Sequence, residues 1–179
     1  MTINNDRADS GIGGGLCQFT NLLHWMVLHS ELTTLEHHHH GELDLFPDVN
    51  RQIPFGSGTS IIYNYLDYRV RSDTDQAFQF LVSTTDQHLC GELRAERVPA
   101  VKFHIREKDS YFHEAGGNVY RHNRIVRLTR DKHTGLATST QQVLENNALV
   151  TYDRELITTR IRSDPGRTAP ATPVAKKAT

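Results

Sequence analysis

Cysteine is scarce in this chain. Only Cys17 and Cys90 occur in 179 residues, far apart, so no disulfide framework can hold the fold and both thiols are expected to stay reduced. Charge of one sign is missing too. Twenty Lys and Arg stand against 21 Asp and Glu, a net charge of −1, which excludes the basic footprint of a nucleic-acid or membrane-surface binder. No apolar run is long enough to cross a bilayer, and the polar first ten residues have no apolar core of a signal peptide. Those two absences predict a soluble, cytoplasmic protein. The hydrophobic fraction is low, at 37%, and no internal repeat or zinc-finger spacing appears. Chain length suits one domain with a real core.

Glycine, by contrast, is concentrated. Gly11, Gly13, Gly14 and Gly15 fall within five positions and lead directly into Leu16, Cys17 and Gln18. Glycines cost backbone entropy, so this density predicts forced torsions or close approaches. The stretch from Cys17 to about Ser30 reads as one helix, with Phe19, Leu22, Leu23, Met26 and Val27 on its main apolar face and Trp25 and Leu28 widening it. A helix apolar over so wide an arc is expected to be buried. Cys17 then falls in the first turn, where unpaired N–H groups and the helix dipole favour a thiolate. A small buried cysteine after a turn is the competing reading.

The remaining grammar is β. A short β-branched segment, 32–36, delivers four consecutive histidines, His37 to His40, into a Pro- and Gly-containing loop over 41–58. Segments 60–71 and 76–84 read as a hairpin across Ser72, Asp73, Thr74 and Asp75. Further strands are expected at 89–95, 101–107, 119–130 and 136–143, with 147–152 closing the sheet. Residues 1–10 read as a flexible lead-in, 11–162 as the domain, and 163–179 as a disordered Pro-, Ala- and Lys-containing tail. The expected fold class is α+β: one principal buried helix after a Gly-rich turn, then an antiparallel, hairpin-rich sheet. His24 and His29 read as structural and Cys90 as inert. Arg121, Arg124, Arg127 and Arg130 look too dispersed to make a phosphate site.

Gly13 to Gln18, the helix with Leu22 to Met26, Glu36 with the histidine run, and Tyr63 to Asp67 together resemble the VanW family. Phe46-Pro47-Asp48, Pro54 to Gly58 and Thr74 to Gln76 extend the resemblance over roughly 150 residues. It implies a connection to glycopeptide resistance and cell-wall peptidoglycan. It also implies a segment upstream of the glycine motif, so the chain reads as an N-terminally truncated member, and wall association is the alternative to a cytoplasmic location where that segment is missing. Many relatives carry an Asp where this chain has Ser57, Gly58 and Thr59.

A Cys-His-Asp constellation is the sharpest chemical reading. Cys17 would be the nucleophile, Asp67 on a strand would orient the histidine, and Gln18 would join the Cys17 N–H in an oxyanion site beside Gly13, Gly14 and Gly15. Alternate residues of an extended run share a face, and the resemblance implies a His-x-His pattern at His38 and His40, so these are favoured as the base. The chemistry would be acyl transfer or hydrolysis on a peptide, with a wall precursor or wall peptide as partner and no cofactor. One rival is a zinc site of Cys17, His38 and His40 with Asp44 or Asp48. The other is a non-catalytic accessory or binding domain.

Overall fold

The helix begins where Gly15 turns the chain. The computed structural model describes residues 2–4, 7–9, 15–39, 42–48, 51, 53–62 and 64–163. Gly15 is the N-cap of α1 (Leu16–Leu28) at φ 92°, a left-handed torsion that favours glycine. No side chain caps this end, and its carbonyl accepts the Phe19 N–H at 2.9 Å. Ser30 ends the helix. Its N–H and hydroxyl both donate to the Val27 carbonyl (3.0 and 2.9 Å), and its Oγ accepts the Leu32 N–H, turning the chain into β3 (Leu32–Glu36). The buried face of α1 is Thr20, His24, Met26, Val27 and Leu28, while its first turn stays in solvent, with Leu16 45% exposed.

Four sheets follow. Before the helix, β1 (Thr2–Asn4) pairs antiparallel with β2 (Arg7–Asp9), within the segment expected to be a flexible lead-in. β3 pairs antiparallel with β5 (Arg69–Ser72), and β6 (Phe78–Thr84) with β7 (Leu89–Ala95). The largest sheet is a meander of three long strands, β8 (Val101–Ala115), β9 (Asn118–Asp131) and β10 (Ala137–Val150). β4 (Leu43–Asp44) joins its β10 edge in parallel, and β11 (Ile161–Ser163) joins its β8 edge in parallel. Bulges between Lys108 and Tyr111 and between Gln142 and Leu144 let this sheet curl into a half-barrel. Its centre is Leu28, Ile105 and Ile125, packed by Trp25, Val143 and Leu144.

This architecture overturns the expected fold class. Strands account for 51% of the structure and helix for 11%, and the principal sheet is mixed rather than antiparallel. Both parallel strands are short edge additions held by main-chain bonds, such as Leu149 N–H to the Glu42 carbonyl at 2.8 Å, which leave no local pattern. The 60–71/76–84 hairpin does not form. Asp73 accepts the Thr33 hydroxyl at 2.7 Å, so β5 is drawn to β3 and β6 is left to pair with β7. β8 and β10 also outrun their expected ends, through polar stretches that bury His113 and Asn146 and leave residues 108–110 exposed.

β9 explains that burial. Successive residues of a strand face opposite sides, and Arg121, Asn123, Ile125 and Arg127 point toward α1 and the 53–60 loop, as their contacts with Phe55, Leu28 and Ser30 show. Arg124 and Arg130 lie on the other face, exposed. Tyr120 and His122 share that outer face and are covered by ring contacts, His113 stacking on Tyr120 and Tyr111 meeting His122 at 4.8 Å. This end of the sheet is therefore closed on both sides.

Candidate functional site

The 53–60 loop lies on two buried asparagines. Asn123, fully buried, donates from Nδ2 to the Phe55 carbonyl at 2.9 Å and to Glu107 at 2.5 Å. Asn146 donates to the Asn123 side-chain oxygen at 2.6 Å and to the Phe55 carbonyl at 3.3 Å. Gly56 sits against this pair at φ 75°, and a Cβ there would overlap the Asn146 amide. Gly58 likewise touches the side chain of Asn21 on α1, whose oxygen accepts the Thr59 N–H at 2.8 Å. The loop is thus pinned to both the helix and the sheet, by groups whose hydrogen bonds offset the cost of burying them.

The histidine run threads between them. His37 Nε2 donates to the Gly58 carbonyl at 2.9 Å, and its ring stacks on His24 of α1 at 4.5 Å. His39 stacks behind His37 at 6.1 Å, and its Nε2 hydrogen-bonds Asn146 Oδ1. His38 turns the other way, to Glu36 at 2.8 Å, while its carbonyl accepts the Ser60 N–H. Burial lowers the pKa of His24 to about 3, helped by His37 and His39, and burial likewise holds His37 below its ordinary value. Both imidazoles are neutral at neutral pH.

Cys17 and His39 line one groove of about 510 Å³, floored by the 53–60 loop. Both Cys17 and Gln18 are exposed at the first turn of α1. Gly13, Gly14 and His40 lie outside the described residues. Asp67 is exposed and lies two residues before β5 rather than on a strand. Its backbone N–H supports Glu36, the carboxylate that holds His38. The groove therefore joins Cys17 to His39, while His38 and Asp67 meet at Glu36. The expected pairing of His38 with His40 lies partly outside the described residues, while His37 and His39 stack on one side of the run, with His39 held by Asn146, 107 positions away.

Charge is gathered beside the groove, behind Asp44 and Arg51, which line it. Arg121, 4% exposed, forks onto both Asp48 oxygens at 2.8 and 2.5 Å and lies 3.6 Å from Asp44, with its guanidinium over the Phe55 ring. Asp44 is 1% exposed, accepts the Tyr152 hydroxyl at 3.0 Å, and has its pKa raised by burial. Burial also opposes the charge of Asp48, yet the bonds from Arg121 and Arg51 hold its carboxyl below the usual range. The sequence reading of four dispersed arginines missed that two of them, Arg121 and Arg127, are at even spacing and share the inner face. Among the described residues, no cluster of three His, Cys, Asp or Glu side chains is placed to hold a metal ion. No helix among them is long and apolar enough to cross a membrane.

The molecule is thus a β-rich domain in which a helix-terminal cysteine and a braced histidine share a groove. Residues 1–94 match the family model described as VanW like protein, and the chain belongs to that family. It is 27% identical over 152 residues to the vancomycin B-type resistance protein VanW of Enterococcus faecalis, an alignment covering 85% of this chain and 55% of that protein. The chain spans about half the length of this curated relative. No solved structure matches it.

Proposed function

We propose that this protein serves in resistance to vancomycin-type glycopeptides, as a cysteine-dependent acyltransferase or hydrolase acting on a peptide of the cell wall or its precursor. The name of the enterococcal relative supports the biological setting. The observation that carries the chemistry is the shared groove of Cys17 and His39, with His39 bonded to buried Asn146. A thiol, an imidazole and an amide that fixes the imidazole are the working parts of papain-like catalysis.

In this reading the Cys17 Sγ attacks the scissile carbonyl carbon while His39 takes the thiol proton. The C–N bond then breaks and His39 passes that proton to the departing amine, leaving a thioester. Water or a second amine attacks the thioester and regenerates the thiol. Gln18 and the Cys17 N–H, at the open end of α1, are the donors for the oxyanion. Asn146 acts as a positioning residue through His39.

Cys90 supplies an internal control, since both thiols are exposed. At pH 6, iodoacetamide is expected to label Cys17 at least tenfold faster than Cys90, with His39→Ala removing the advantage and His38→Ala keeping it. Cys17→Ala is expected to abolish turnover of a wall stem pentapeptide, followed by mass spectrometry, without changing the melting temperature. Equal labelling of the two thiols would overturn the nucleophile and leave the accessory binding domain. Loss in His38→Ala instead would assign the base to the other face of the run.

A further inference from the structure

A second cavity, separate from the cysteine groove, lies between α1, β3 and the inner face of β9 and β10. Its volume is about 390 Å³, within the range of small-molecule pockets. Val27, Leu28, Ile125 and Leu144 form its apolar walls, and His24 of α1, His37 just after β3, Arg127 of β9 and Gln141 of β10 converge on it. Among the described residues, no Asp or Glu lines it.

Arg127 is the unusual member. One Nη donates to the Ser30 carbonyl and the guanidinium lies 3.8 Å from the centre of the Phe103 ring, but its Nε is buried with no hydrogen-bond partner among the described residues. No carboxylate among them pairs with it, and burial alone disturbs its charge. Arg121, on the same strand face, shows the usual alternative: a buried guanidinium matched to two aspartates. Arg127 is half-buried, and a partly desolvated guanidinium with no carboxylate partner among the described residues is placed to take a counter-charge from a ligand in the cavity. The flanking imidazoles of His24 and His37 are neutral and add no second cation. His24 has its Nδ1 engaged by the Tyr68 hydroxyl at 3.0 Å.

We infer that this cavity binds a small organic monocarboxylate, its carboxylate forked by Arg127 and its apolar body against Val27, Leu28, Ile125 and Leu144. A single guanidinium matches one negative charge in a planar two-oxygen geometry, and the apolar walls disfavour a hydrated dianion such as phosphate. This site does not depend on the chemistry of Cys17.

Benzoate is a suitable probe, with benzamide as its uncharged counterpart and inorganic phosphate as the dianion. Calorimetric titration of the full chain is expected to show saturable one-to-one binding of benzoate and at least tenfold weaker binding of the other two. Arg127→Gln should lower benzoate affinity at least tenfold, and Leu144→Trp, which fills the cavity and keeps the arginine, should abolish binding. Cys17→Ser should leave it unchanged, separating this site from the proposed catalytic groove. If Arg127→Gln does not fold, the Leu144→Trp result decides. Absence of saturable benzoate binding, equal binding of benzamide, or unchanged affinity in Leu144→Trp would each overturn the proposal.

Discussion

β9 and β10 run side by side for their whole length, yet their two ends are built on different principles. Where Tyr120 to Asn123 faces Asn146 to Leu149, the strands are covered on both sides and their polar side chains are buried and hydrogen-bonded. Around the turn at Asp131 to Leu136 the cover is thinner: Leu128, Thr129 and Asp131 of β9 are half-buried, and residues 137–142 of β10 are exposed without interruption. Asp131 closes that turn locally, accepting from the N–H groups of His133 and Thr134 and from the Thr134 hydroxyl. The open end is held by its own sequence, whereas the closed end is held by segments brought from far along the chain. Both proposed sites are at or beside the closed end. Exposed polar contacts contribute little there or anywhere, but a buried polar group that loses its partner is expensive.

The largest expected effect sharpens this contrast. Arg121→Ala would leave Asp44 at 1% exposure without its nearby cation and is expected to cost about 3–5 kcal/mol. Arg130→Ala, at the open end, removes a surface bond to the Gly135 carbonyl and should cost under about 0.5 kcal/mol. Urea denaturation of the two variants against the parent measures both, and equal losses would break the distinction.

A glycine pair comes next. Gly56 and Gly135 have similar torsions, φ 75° and 70°, so an alanine at either is strained by about 1–2 kcal/mol. Only at Gly56 does a Cβ also meet the Asn146 amide, while at Gly135 nothing lies within 4 Å. Gly56→Ala is therefore expected to cost about 3 kcal/mol in a thermal melt and to slow Cys17 labelling by displacing His39. Gly135→Ala should cost only its backbone strain.

The smallest effect is read from pH. His24 is 3% exposed with its pKa depressed to about 3, whereas in the unfolded chain it takes up a proton near 6.5. The unfolded state thus binds more protons between those values, and stability falls as pH drops from 6.5 toward 3. Between pH 7 and 4.5 the loss from His24 should be about 2–3 kcal/mol, with His37 acting in the same direction. Urea midpoints across that interval should flatten in His24→Gln. An unchanged slope would place the acid-sensitive group elsewhere than in the histidine stack.

Much of the local structure was legible. The helix, β3 at 32–36 and β7 at 89–95 follow from periodicity and β-branching over a few residues. The strand residues from Lys108 to Ala115 were not, nor was the joining of the expected segments 136–143 and 147–152 into one strand through Leu144, Glu145 and Asn146, because charged and amide side chains there obscure the alternation that marks a strand. The site divides the same way. Glycine density before Cys17 and the adjacency of four histidines were visible, and Cys17 and His39 share one groove. Asn146 was invisible as a partner, since nothing in an asparagine's neighbours says what it will touch 107 positions away.

By itself, the sequence determined the glycine-to-helix turn that exposes Cys17, the placement of a histidine run just after a short strand, and membership of the VanW family. These rest on torsional freedom, short-range periodicity and motif spacing, all local properties. Only the tertiary structure decided that His39 faces the groove and His38 faces Glu36, and that Arg121 meets two aspartates while Arg127 meets no carboxylate among the described residues. Those outcomes depend on sheet register and on which distant side chain fills each position across the interior. A residue's chemistry is local, but its partner is chosen by the fold.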